Sequence, residues 1–212
     1  LMTKEFELDP TADIWLFLDL FQGAEVRLPW QLQPQAEGIF ALTLGRRREI
    51  PLLPVSTEYI VSTAASIARH FLARNRAVGL ISRGQTREII ETDRGERQLS
   101  KILETLAVVQ AEGPIPFGQL IATEAVRLSR NDTILAISAD PDPSWARALR
   151  EMRRRGVHSI AVAVDGRSFT PGPSYGPLLN ELESTGIPRY LVRRDQPIDQ
   201  ALSRQATLSD LT

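Results

Sequence analysis

A chain of 212 residues, 42% of them hydrophobic, can bury about 70% of its unfolded surface in one core, so a single domain is expected. Its 25 basic and 26 acidic side chains leave a net charge of -1, which gives neither nucleic acid nor a bilayer surface an electrostatic hold on it. With no cysteine, disulfides, thiolate catalysis and Cys-ligated zinc are excluded, and no apolar run approaches a membrane span or forms a signal peptide.

The run 13–19 (DIWLFLD) is short, apolar and closed by an acid, as a central parallel strand buried on both faces requires. Ser56 is placed to cap a helix in which Ile60, Ala64, Ile67, Ala68, Phe71 and Leu72 recur at helical spacing, up to about Asn75. Only Arg83-Gly84-Gln85 separates 77–82 from 86–91, which permits an antiparallel hairpin and so reverses one edge strand. After Gly95, the spacing of Leu99, Ile102, Leu103, Leu106 and Val109 predicts a helix that stops at Gly113. Beyond the Pro114/Pro116 break, Phe117, Leu120, Ile121, Ala125 and Leu128 predict the next one. Strands are expected at 133–138, 158–164 and 188–192. Helices separate them: one from Ser144 to Gly156 with Trp145, Ala148, Leu149 and Met152 on one face, and one from Gly176 with Leu178, Leu179 and Leu182. A short helix from Pro197 carries Ile198, Ala201 and Leu202, and 205–212 read as a frayed tail. This alternation specifies a doubly wound α/β domain over 1–204, with a mostly parallel sheet and right-handed crossovers.

Residues 22–55 are too many for an ordinary strand-to-helix connection and read as an insertion. Within it, 39–44 and 49–53 flank Gly45 and Arg46-Arg47-Arg48 as a β-hairpin would, with Pro51 and Pro54 limiting the second strand. The other basic cluster, Arg153-Arg154-Arg155, closes a helix, where cations offset the negative end of the dipole.

Several separate stretches, 1–7 (LMTKEFE), 15–19 (WLFLD), 62–66 (STAAS), 94–99 (RGERQL) and 190–194 (YLVRR), resemble bacterial proteins of the domain of unknown function 58. The resemblance covers most of the chain outside the insertion. It implies that this chain, which opens on Leu1-Met2, is the C-terminal part of a longer protein: a soluble, cytoplasm-facing domain of a membrane-anchored parent. It also implies a fold similar to a von Willebrand factor A domain, six strands in the order 3-2-1-4-5-6 with one antiparallel edge strand. The partner it points to is a MoxR-type AAA+ ATPase.

In an open parallel sheet, ligands bind beyond the carboxyl ends of the strands where the winding reverses, which is where Asp19 and Asp140 should meet. A-domains hold magnesium there, with Asp-x-Ser-x-Ser after the first strand, a Thr from a later loop and an Asp after the fourth strand. Here the first motif reads Asp19-Leu20-Phe21-Gln22-Gly23, so Phe21 and Gly23 stand in place of the two hydroxyls, and the loop 113–118 holds no Thr. Two carboxylates without hydroxyl partners hold magnesium weakly, because the ion keeps its waters unless several protein oxygens replace them. Gln22, Ser138 and Asp142 are further oxygen donors at this edge. The alternative role for Asp19 is to cap its strand by accepting N–H bonds from the neighbouring loop.

Other signatures fail. No Gly-rich loop precedes either of the two lysines, Lys4 and Lys101, and no Gly-x-Ser-x-Gly elbow exists. His70 and His158 have no nucleophile or ligand at motif spacing. Asp165-Gly166 reads as a turn, and 172–176 (GPSYG) lacks the spacing of a phosphate loop. The leading expectation is therefore a protein-interaction module without a cofactor, with no nucleic-acid partner and no membrane contact of its own. Behind it stand an Mg2+-dependent adhesion-type domain, with the ion on Asp19 and Asp140, and a metal-dependent hydrolase using Asp19, Asp140 and Asp142.

Overall fold

Five consecutive apolar residues leave Ile14–Leu18 no polar face to turn toward water, and this strand, β1, is buried throughout at the centre of the sheet. A computed structural model describes residues 12–28, 52–207 and 210. Around β1 lie β2 (Val78–Arg83), β3 (Arg87–Asp93), β4 (Thr133–Ser138), β5 (His158–Val164) and β6 (Arg189–Val192). The six strands run in the order β3-β2-β1-β4-β5-β6, all parallel except β3, which pairs antiparallel with β2. This is the expected doubly wound sheet with one reversed edge.

The period of two along β1 divides the core. Ile14, Leu16 and Leu18 pack on one face with α1 (Ser56–Leu72), α2 (Glu96–Leu106) and α6 (Ile198–Leu202). Trp15 and Phe17 pack on the other with α3 (Phe117–Glu124), α4 (Ser144–Arg154) and α5 (Gly176–Ser184). Among the described residues no helix is long and apolar enough to cross a membrane.

Several boundaries differ from the sequence expectation for identifiable reasons. Helix α2 ends at Leu106 rather than running to Gly113, because Gly113 is drawn against the end of β1, donating its amide to Leu20 O at 2.8 Å. Leu103, expected on the buried stripe, stands 42% exposed within α2, and Val109 lies beyond the helix, half-buried. The third helix gives way after Glu124 to a 3-10 turn at Ala125–Arg127. Ser56 is not a cap: it lies inside α1, and its hydroxyl accepts the Val26 amide at 2.9 Å. Arg153 does more than offset its own helix dipole, since its guanidinium donates to Thr185 O and Gly186 O at the end of α5.

The hairpin expected at 39–44 and 49–53 lies outside the described residues except Leu52 and Leu53, which are not in a strand, and so does Arg46-Arg47-Arg48. The two stems of the insertion are stitched together. Leu28 N donates to Pro54 O at 3.0 Å, Ser56 N to Val26 O at 2.9 Å, and Arg27 and Val55 form an antiparallel bridge. Beyond α6, Ala206 is buried and donates its amide to Arg189 O at 2.8 Å, so this part of the 205–212 segment lies along β6.

Candidate functional site

Parallel strands end together, so the residues after β1, β4 and β5 converge at one edge, and each of these strands is followed by an acid. Asp19 follows β1, Asp140 and Asp142 follow β4, and Asp165 follows β5. All four accept the backbone amide two residues further on: Phe21 N on Asp19 Oδ1 at 3.0 Å, Asp142 N on Asp140 Oδ1 at 2.9 Å, Ser144 N on Asp142 Oδ1 at 2.7 Å and Arg167 N on Asp165 Oδ1 at 3.1 Å. A short carboxylate side chain bends its own backbone in this way, and here it turns the chain out of each strand.

The structure brings Asp19, Ser138 and Asp140 together. Ser138 Oγ donates to Asp19 Oδ2 at 2.6 Å, and the same oxygen accepts the Asp140 amide at 2.9 Å. Asp19 and Ser138 are buried, and burial pushes the Asp19 carboxyl up to about 7, against the opposing hydrogen bonds from Ser138 and Phe21 and with a small further rise from Asp140. Burial also raises the Asp140 carboxyl. Asp142 is exposed and held below its ordinary range, chiefly by its hydrogen bonds from Ser144. Gln22 stands exposed at the start of a 3-10 turn, its amide donating to Gly113 O at 3.1 Å.

Gly113 completes the edge from the other side, its amide and carbonyl holding Leu20 and Gln22. A Cβ there would stand 2.2 Å from Arg83 O and 2.7 Å from Leu20 O, so the approach of three backbone segments requires glycine. Tyr175 is a residue that sequence reasoning missed. It is buried, and its hydroxyl donates to Ala139 O after β4 and accepts the Gly166 amide after β5 at 2.9 Å, tying the two loops to the start of α5. The available signal was an aromatic residue inside the Gly/Pro/Ser loop 172–176, where a bulky side chain has no reason to stand in solvent. Asp165 makes the turn expected of it and also meets the Arg193 guanidinium at 3.5 Å. His70 lies on the exposed side of α1 beside Arg74, and His158 opens β5 in solvent; neither is near this edge.

The residues present do not fit a magnesium ion. That ion demands near-octahedral oxygen ligands and gives up its waters reluctantly. Both Asp19 oxygens already accept protein donors, Phe21 and Gly23 offer no side-chain oxygen, and a Cβ at Gly23 would lie 2.5 Å from Phe21 Cε1, so the ring must move before a serine could stand there. Among the described residues no three acidic or histidine side chains gather as ligands.

Sheet order, the single reversed edge and the switch point at Asp19 define a von Willebrand factor A-like fold. The sequence matches no protein-family model and no curated protein, so the likeness rests on solved structures. The chain is similar to the conserved hypothetical protein BatB from Bacteroides thetaiotaomicron, at 10% identity and a TM-score of 0.56 over 91% of this chain and 95% of that one. An aerotolerance-related membrane protein from Bacteroides fragilis aligns at 11% identity and a TM-score of 0.50 over 90% of this chain and 94% of its own. Proximal thread matrix protein 1 from the mussel byssus, with a zinc-occupied MIDAS motif, aligns at 9% identity and a TM-score of 0.54 over 92% of this chain and 47% of its own. At such identities the likeness is one of fold.

Proposed function

We propose that this domain is a protein-interaction module that presents the loops at the carboxyl edge of its sheet to a protein partner. The observation that carries the reading is the common posture of Asp19, Asp140, Asp142 and Asp165, each of which shapes its own loop through the amide two residues on. Acids engaged in this way build a platform of fixed loops. Carboxylates spent on holding their own loops favour recognition over hydrolysis.

The finer reading, supported by the sequence stretches given above, is the A-like domain of a domain-of-unknown-function-58 protein whose parent is membrane-anchored and whose partner is a MoxR-type AAA+ ATPase. The test is capture of the purified ATPase by this domain, with and without nucleotide, alongside a Gln22→Arg variant that alters only an exposed edge side chain. Binding by the parent and loss in the variant is expected. No binding in any nucleotide state would overturn the ATPase assignment, and equal binding by the variant would move the interface off this edge.

A further inference from the structure

We propose that the carboxyl edge is locked by hydrogen bonds in the position where an A-domain would use a bound ion, so that neither its shape nor its partner binding depends on divalent cations. In chemical terms, a cation at such an edge cross-links the loop after β1 to the loop after β4 through shared oxygens. Here the cross-link is a proton. Ser138 Oγ donates to Asp19 across the β1/β4 boundary and, by accepting the Asp140 amide, fixes the loop after β4 as well. The chain of contacts continues outward without a gap. Asp140 Oδ1 holds the Asp142 amide, Asp142 Oδ1 holds the Ser144 amide at the start of α4, and the Trp145 indole N–H donates to Asp140 O at 3.0 Å. Behind β1, Phe21 N on Asp19 and the Gly113 clasp on Leu20 and Gln22 fix the other loop.

The hydroxyl that makes the lock also competes for the carboxyl group an ion would use. Accepting an O–H on one oxygen and an N–H on the other engages one lone pair on each Asp19 oxygen. A cation on Asp19 would have only what remains of these two oxygens, and Phe21 and Gly23 supply no hydroxyl to complete its shell. The serine in the lock lies at the end of β4, in the run TILAIS, and so belongs to no metal motif.

This inference deepens the interaction reading of the same edge and rests on it only where it speaks of partner binding. Its test is separable. The melting temperature of the purified domain is measured in EDTA and in millimolar Mg2+ or Mn2+, with calorimetric titration of the same ions, and this needs no partner. The parent is expected to melt at one temperature in all three and to release no saturable heat. A Phe21→Ser/Gly23→Ser variant, which restores the two hydroxyl positions and clears the ring from them, is expected to gain stability on adding the ion, as binding to the folded state requires. Ser138→Ala separates the two accounts further: a proton lock loses the same number of degrees in EDTA and in Mg2+, whereas an ion site loses stability only where the ion was supplying it. Saturable uptake of Mg2+ by the parent, abolished by Asp19→Asn, would overturn the proposal even if partner capture succeeds.

Discussion

Ser138 Oγ lies 2.6 Å from Asp19 Oδ2 across the boundary between β1 and β4, joining two residues 119 positions apart in the chain. Both are buried, so the contact exchanges water for a protein partner on a carboxyl group that could not otherwise be kept inside.

Removing that hydroxyl should be costly. Ser138→Ala leaves one carboxyl oxygen and the Asp140 amide without their partner in a dry site, and a loss of about 1–3 kcal/mol is expected. Urea unfolding monitored by tryptophan fluorescence reads it; a shift in midpoint with an unchanged slope is the expected form.

The Asp19 carboxyl, raised by burial to about 7, ties stability to pH in a definite direction. Between about pH 4, where the unfolded chain gives up this proton, and about pH 7, where the folded one does, the native state binds more protons. Stability contributed by this group is therefore full below that window and falls as pH rises through it, by at most about 1.4 kcal/mol per unit. Asp19→Asn, which removes the titrating group but offers only one accepting oxygen to Phe21 and Ser138, should melt lower overall and flatten the decline. Thermal unfolding from pH 4 to pH 8 in both proteins checks it.

Tyr175→Phe removes one hydroxyl and orphans two buried backbone groups, Ala139 O and Gly166 N. The expected cost is again about 1–3 kcal/mol. It should appear with faster amide exchange at Gly166, because local opening of that turn is then less opposed.

Gly113→Ala tests the backbone clasp. The Cβ would meet two backbone oxygens, Arg83 O and Leu20 O, and neither can rotate away as a side chain could. Displacement of the loop is expected, with a loss of at least about 1–3 kcal/mol. An alanine tolerated at full stability would contradict the close approach.

Much of the architecture was legible because apolar runs and helical stripes fix it. Ile14–Leu18 reads as a central strand without any tertiary information, and the Trp145/Leu149/Met152 spacing identifies the buried face of α4. What periodicity could not show was where a helix yields to a loop that another element claims, as α2 does short of Gly113. Nor could it show what a hydroxyl does once buried: Ser56 looked like a cap and instead holds Val26. At the edge, Asp19 and Asp140 were visible as acids after strands, and the strand-capping alternative for Asp19 matches the amide it accepts from Phe21. The Ser138 bridge was not visible, because register across β1 and β4 decides which side chains face each other.

The most direct measurement is a carbon-13 NMR titration of the Asp19 carboxyl in EDTA and again in millimolar Mg2+. The expected result is a midpoint near 7 that is the same in both, the mark of a carboxyl raised by burial against the lowering by Ser138, with no ion beside it. A midpoint in the ordinary aspartate range, about 4, or one that drops when Mg2+ is added, would contradict it.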